Sequence, residues 1–415
     1  SDIRYPSTEL AFVWIALRVN DAWRALTGPS ACPLDLRVLG MLRAAALLVA
    51  GAATIVAFSR RAPRAGVAAA AIFALVLADP ALTLLLNTLY GDFSVVLLTY
   101  VACALLVYVV GFAAYSTRAG LALAVVLPLL AMTKTQWAGL PILLVGVLAA
   151  GALFARAAAP RSRLRTVALA STGALAGLLL QRQTLAEGGY MWAMRMGAAT
   201  DTFFGAVLPL HRDPDRALAL VGLPERCRPY VGRTWYDDGM QPPPCPEVGD
   251  VSRLAIGRLV LDDPLLAVRL AGRALPLLQP LVVRYLGQVE GADRAQADAD
   301  WRDGIVSVST PIERLPPALF ALLVAGSLLA GPLALLDLLR REAPPLLATL
   351  VLACGAVASY AFASSLIGAG FIGLARHSLP GQLAFVVLLG AAPLQIGRSL
   401  RFLARRDEGR RPYSV

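Results

Sequence analysis

Lysine is almost absent: Lys134 is the only one in 415 residues, so the net charge of +11 rests almost wholly on arginine. Histidine is nearly as scarce, with only His211 and His377, which excludes a histidine-rich metal site. The five cysteines lack the paired spacing of a zinc site. Charged residues are 16% of the chain. The phosphate-binding glycine loop, the dinucleotide fingerprint, the nucleophile elbow and the zinc-protease helix motif are all missing, so no soluble-enzyme signature is present. No repeat or heptad period is found. The arginines cap apolar segments and do not form a stripe interleaved with aromatics, which argues against nucleic acid as a partner.

What the chain has is hydrocarbon. It is 58% hydrophobic, with a mean hydropathy of +0.66, too apolar for a soluble globular protein. Arginine runs at Arg60-Arg61-Ala62-Pro63-Arg64, Arg156 to Arg165, Arg340-Arg341 and Arg398 to Arg411 punctuate the apolar stretches at alternating gaps. Short basic loops stay in the cytoplasm. Reading all four runs as cytoplasmic gives one topology, with the acidic, aromatic and cysteine-bearing segments on the outer side. The fold expected is an all-α membrane bundle of about nine spans, near 38–58, 65–79, 93–115, 119–135, 137–155, 166–180, 313–339, 345–366 and 379–397. The organisation follows: an outer first loop over 1–37, membrane helices over 38–180, an extracytoplasmic subdomain over 181–312, further membrane helices over 313–397 and a basic tail over 398–415. The alanine-, leucine- and arginine-heavy composition suits a GC-rich bacterial genome and a multi-pass plasma-membrane protein, with the lipid bilayer as its first partner. Polar sequence at Ser1 on the outer side predicts a preceding membrane helix, with a cleaved signal as the alternative.

Residues 264–287 are apolar enough to suggest a further span. Arg269, Arg273 and Arg284 interrupt them, however, and a central arginine costs about 2.5–3.5 kcal/mol on insertion scales. An interfacial amphipathic helix is the better expectation. Cys227 and Cys245 share the outer loop, where an oxidising compartment allows a disulfide. Cys103 and Cys354 fall inside spans and read as small hydrophobes.

The residues with chemistry gather at the outer membrane edge. Asp2, Arg4, Tyr5 and Glu9 stand at the start of the chain. Asn87, Tyr90 and Asp92 lie between two apolar runs. Lys134 and Gln136, followed by Trp137, lie between two more, and Arg376 and His377 precede the last span. Each has a plainer alternative: a solvated terminus, helix capping by Asp92, a snorkelling Lys134 with Trp137 in the aromatic belt. His211-Arg212-Asp213-Pro214-Asp215 and Trp235-Tyr236-Asp237-Asp238 suit carbohydrate, but read first as solvated turns.

This layout resembles the GT-C superfamily, the polytopic glycosyltransferases that use polyprenyl-phosphate sugars. Asp2, Arg4-Tyr5 and Glu9 match its acidic first outer loop, and Arg376-His377 before a proline and an apolar helix resembles its late outer junction. Two departures stand out, Asp92 where the family has glutamate and His377 where it has tyrosine. The resemblance implies inverting transfer of a hexosyl or pentosyl group from a polyprenyl-phosphate donor to a cell-envelope glycan or lipid-linked acceptor. Asp2 would be the first choice of base, with Glu9 and Asp92 as alternates. Lys134 and Arg376 would hold the phosphate, with Arg4, Tyr5, Asn87, Tyr90, Gln136 and His377 in the binding site. It also admits Mg or Mn on the acids. A lipid-linked glycan polymerase, or a transporter or flippase, is the rival expectation.

Overall fold

In a computed structural model, residues 7–28, 35–83, 85–88, 91–154, 158–185, 189–279, 308–340 and 345–408 are described. All regular structure among them is helical. The helices used below are α1 (Glu9–Thr27), α2 (Leu36–Ser59), α3 (Pro63–Ile72), α4 (Asp92–Gly111), α5 (Thr117–Ala131), α6 (Leu140–Phe154), α7 (Pro160–Leu185) and α8 (Gly189–Thr202). They continue as α9 (Ala255–Asp262), α10 (Leu265–Leu278), α11 (Pro317–Arg340), α12 (Pro345–Ala369), α13 (Leu374–His377) and α14 (Leu379–Glu408).

The nine expected segments coincide one for one with nine apolar helices. Seven of these are long and apolar enough to cross a membrane, and two, Pro63–Leu77 and Thr117–Ala131, are shorter. The first of the short pair is α3 extended by a π-helical turn, Phe73–Leu77. α10 is not among the apolar spans; it buries Leu266, Leu270, Ala274 and Leu278 on one face, as an amphipathic surface helix does.

α4 is the axis of the bundle. It is apolar all round and buries Phe93, Val95, Ala102 and Val109 completely, as a helix surrounded by others must. α2, α5, α6, α12 and α14 pack around it. The α5–α7 contact rests on small residues: a Cβ at Gly173 would lie 2.6 Å from the Ala124 Cα, and one at Gly177 would lie 2.7 Å from the Pro128 Cα. Glycines one turn apart let two backbones approach, which is how helices associate where the surrounding lipid is as apolar as they are.

The helix ends sort into two groups. At one end Phe58, Tyr108 and Phe112 stack, with centroids 5.5–5.9 Å apart. Arg61 donates to the Tyr108 hydroxyl at 3.0 Å, and Arg163 donates to the Ala152 carbonyl at 2.7 Å. Arg61 and Arg163, from two of the arginine-bearing connections, thus share one end. The opposite end carries the start of α1, the start of α4, the α5–α6 link and α13, together with the segment from α8 to α10.

That segment has its own core, built on Phe203, Phe204, Leu208, Met240, Val248 and Leu259. The expected disulfide, Cys227–Cys245, closes within it; a loop of this size gains about 3 kcal/mol in the chain-entropy account. His211-Arg212 and Asp262-Asp263 form one charged knot. Asp263 accepts from the Arg212 backbone N–H at 2.9 Å and pairs with Arg269, while buried His211 faces Asp262 at 3.6 Å.

Candidate functional site

Four chain segments meet at the end of the bundle opposite Phe58, Tyr108 and Phe112, and each brings a polar side chain into an otherwise apolar place. α1 is fixed first. The Ser7 hydroxyl donates to the Thr133 carbonyl at 2.8 Å, and the Thr8 hydroxyl to the Leu129 carbonyl at 2.6 Å. These bonds anchor the start of α1 against the link that carries Lys134. Gly91 lies between them: a Cβ there would sit 3.7 Å from the Glu9 Cβ and 3.9 Å from the Lys134 Cε.

Glu9 is buried and saturated. One carboxylate oxygen pairs with Arg43, whose Nε lies at 3.1 Å, and the other accepts from the Ser94 backbone N–H at 3.3 Å and from the Ser94 hydroxyl. Arg43 has no exposed surface. It also donates to the carbonyls of Leu85 and Leu86, both at 2.8 Å, and to that of Thr88. Its guanidinium lies 5.5 Å from the Phe93 ring centroid. A planar fork of donors suits such a site, where carbonyls left over between α3 and α4 need partners. Arg43 is a site residue that the sequence reading missed.

Asp92 is the centre. It is the first residue of α4, but Gly91 is the N-cap and no side-chain capping bond forms, so capping is not its role. Its carboxylate points at two cations. Lys134 pairs with Oδ1, and the Arg376 Nε stands 3.8 Å from Oδ2. Oδ2 is buried without a hydrogen-bond partner among the described residues. Asp92 is 4% exposed, against 24% for Lys134 and 22% for Arg376. The acid is thus sealed in while both cations reach the surface.

Arg376 and His377 lie on α13, which Gly373 opens in the left-handed conformation (φ 59°). Gln136 holds this turn in place, donating to the His377 carbonyl at 2.8 Å and to the Ser365 hydroxyl at 3.3 Å. The Arg376 Nη2 lies 3.4 Å from the His377 Nε2. Burial, then the charges of Lys134 and Arg376, push the His377 imidazolium down to about 4, so the ring is neutral at pH 7. Trp137 is 1% exposed and packs against Tyr360; it belongs to the core and not to an aromatic belt.

The structure therefore brings together Glu9, Asp92, Lys134, Gln136, Arg376 and His377 from the expected set. Asn87 stands apart and exposed, its amide oxygen filling the space a Cβ at Gly40 would take. Asp2, Arg4, Tyr5 and Tyr90 lie outside the described residues. For the Mg or Mn that the resemblance admits, the described residues hold no three-acid cluster; the one group of three possible ligands among them is Cys227, Cys245 and Glu247, whose sulfurs are joined in the disulfide. In the segment from α8 to α10, Trp235-Tyr236-Asp237-Asp238 folds as a turn with Tyr236 71% exposed. Its Trp235 backbone N–H donates to Asp201 at 2.7 Å. Asp201 is a buried acid that burial, with the Asp237 charge, pushes up to about 6.

No protein-family model, curated protein or solved structure matches this chain.

Proposed function

We propose that the protein is an integral membrane glycosyltransferase that moves a sugar from a polyprenyl-phosphate donor to a cell-envelope glycan or lipid-linked acceptor. In this reading the nine apolar helices make nine crossings of a bacterial plasma membrane, and the site faces outward. One observation supports it above the rest: a sealed carboxylate between two partly exposed cations, at the mouth of an apolar bundle. Lys134 and Arg376 offer a point charge and a planar fork to one small anion, the combination that grips a phosphate monoester or diester.

With the donor absent, Asp92 neutralises those cations. When a phosphate takes them over, the carboxylate is freed from its ion pairs. It then accepts the proton of the acceptor hydroxyl as that oxygen attacks the anomeric carbon, and the lipid phosphate departs with the bonding electron pair. Neutral His377 donates or accepts a hydrogen bond there without adding charge. Glu9, locked on Arg43 and Ser94, positions the Gly91–Asp92 turn. Asp2, first choice of base by family resemblance, is the competing assignment for the same proton.

Reporter fusions test the orientation. A fusion after Arg165 is expected to read cytoplasmic and one near Pro243 extracytoplasmic; the reverse pair would put the site in the wrong compartment. Transfer itself is tested in proteoliposomes with radiolabelled polyprenyl-phosphate sugars. Label should pass to the acceptor fraction, and Arg376→Ala should raise the donor KM about 10- to 100-fold, the cost of a lost charge-assisted contact. A protein that moves lipid-linked glycan across the bilayer and transfers none of its sugar would be the transporter instead.

A further inference from the structure

Away from the site, one buried ionisable group has no part in the proposed transfer. His211 caps the short turn Leu208–Leu210, and its imidazole has no exposed surface. Nδ1 lies 2.9 Å from the Asp213 carbonyl and 3.2 Å from the Asp213 N–H. Nε2 faces Asp262 Oδ2 at 3.6 Å. Both of these facing atoms are buried, and neither has a hydrogen bond among the described residues. Each form of the ring meets them differently. With its hydrogen on Nδ1, neutral histidine serves the Asp213 carbonyl but turns a lone pair toward a carboxylate. With the hydrogen on Nε2, it keeps only the longer Nδ1 contact. The imidazolium donates from both nitrogens and adds a charge that draws Asp262 toward bonding distance.

The charges facing the ring are Asp262 and Asp263 at the α9–α10 corner, Arg269 on α10, and Arg212, Asp213 and Arg216 beside it in the chain. The two corner acids are nearly buried, whereas Arg212 and Arg216 are more than half exposed and so are screened by solvent. Arg216 already holds Asp262 Oδ1. The other oxygen is contested, because the Arg212 Nη2 stands 3.8 Å from the same Oδ2 that His211 faces. Of these two cations only the histidine loses its charge at moderate pH. We propose that His211 is a proton-operated latch: protonated, it takes Asp262 Oδ2 and pins the 208–213 turn to the α9–α10 corner, and neutral, it yields that oxygen to Arg212. α10 carries the difference onward. Near its start Arg269 donates to the Leu210 carbonyl at 2.7 Å. Toward its end Ala274 and Leu278 share a core with Leu374, the first residue of α13. The Gln382 amide donates to the carbonyls of Ala375 at 3.1 Å and Leu278 at 3.4 Å. A closed latch therefore steadies the turn that carries Arg376. The latch does not depend on what the site transfers; its effect on donor binding rests on the transferase reading.

With only two histidines in the chain, the latch is readable by NMR. The full chain, labelled with isotopic histidine and held in nanodiscs, is titrated from about pH 8 to about pH 5, the range in which histidine charge changes. His377, pushed down to about 4, stays neutral throughout, and His211 is the signal lost in His211→Gln. It should pass from neutral ring to imidazolium, and Asp262→Asn should move that midpoint to lower pH by removing the facing charge. The stability contributed by the latch is present while the ring is protonated and is lost as pH rises through the midpoint. Thermal unfolding should therefore shift downward toward pH 8 more in the wild type than in Asp262→Asn or His211→Gln. Over the same rise the donor KM should increase about fivefold or more, and His211→Gln should flatten it. Asp201, pushed up to about 6, titrates in this range too, so the series is repeated in Asp201→Asn, where the same shifts should persist. A His211 that keeps one protonation state, or a midpoint unmoved by Asp262→Asn, would overturn the latch. A titrating His211 with a flat KM would overturn its link to Arg376. If the protein transfers no sugar, the transferase reading falls while the NMR and unfolding measurements still decide the latch.

Discussion

Asp92→Asn is expected to lower sugar transfer about 100- to 10,000-fold, the usual cost of removing a general base, with the donor KM unchanged or lower. The two halves of this result have separate causes. The carboxamide keeps the shape of the side chain, so the α4 start and the Gly91 turn stay in place, but it does not accept the acceptor proton. It also carries no charge. Lys134 and Arg376, which Asp92 engages in the donor-free protein, are then no longer shared with the Asp92 charge, and donor phosphate binds them without competition from it. A purely structural ion pair would behave differently, because breaking it would loosen the site and raise the donor KM along with lowering the rate. The measurement is kcat and KM for a polyprenyl-phosphate sugar in proteoliposomes, beside Asp2→Asn. Wild-type turnover in Asp92→Asn with an inactive Asp2→Asn would move the base to the first outer loop. Full activity in both would end the transferase proposal.

The helices were legible in the sequence because crossing a bilayer is a one-dimensional demand: a long apolar run suffices, whatever it later packs against. The sorting of ends was legible for a similar reason, since arginine at a loop is a local mark. Asp92, Lys134 and Arg376 were recoverable separately, each as a charge beside an apolar run, although nothing local says that they share one contact. Gln136 illustrates the limit. Its bond to the His377 carbonyl spans 241 residues, and an amide next to a tryptophan carries no mark of that partner. Trp137 shows the same limit, because a tryptophan near a span end leaves an interfacial place open until Tyr360 is seen against it. Asp201 was passed over because Ala198-Ala199-Thr200-Asp201-Thr202 reads as an ordinary polar helix end, whereas its burial comes from Trp235 and the α12 end folding over it. Arg43 is the most instructive omission. It lies inside the apolar run read as the first span, where an arginine is costly and demands a partner. That signal was present in the sequence, but nothing local names Glu9 as the partner.

Arg43→Leu is accordingly expected to destabilise the protein by about 3–5 kcal/mol, the cost of stranding one member of a buried ion pair. Removing the guanidinium leaves Glu9 with only Ser94 in a place that is 5% exposed, and it leaves the carbonyls of Leu85, Leu86 and Thr88 without their shared donor. Buried carbonyls without partners are expensive in their own right. The double variant Arg43→Leu with Glu9→Leu separates these costs. It removes both charges, so the stranded carboxylate disappears while the carbonyls of Leu86 and Thr88 still lack the Arg43 donor, and about half of the lost stability should return. A double-mutant cycle measured by denaturant titration in mixed micelles reads the difference as a coupling energy. Because the pair clamps α1 and the 85–88 turn on either side of Gly91, Arg43→Leu should also reduce transfer under conditions where the protein remains folded, by displacing Asp92 from Lys134. A single variant as stable as the wild type, or a double variant no more stable than the single, would show that Glu9 and Arg43 do not depend on one another and that something else fixes the turn at the site.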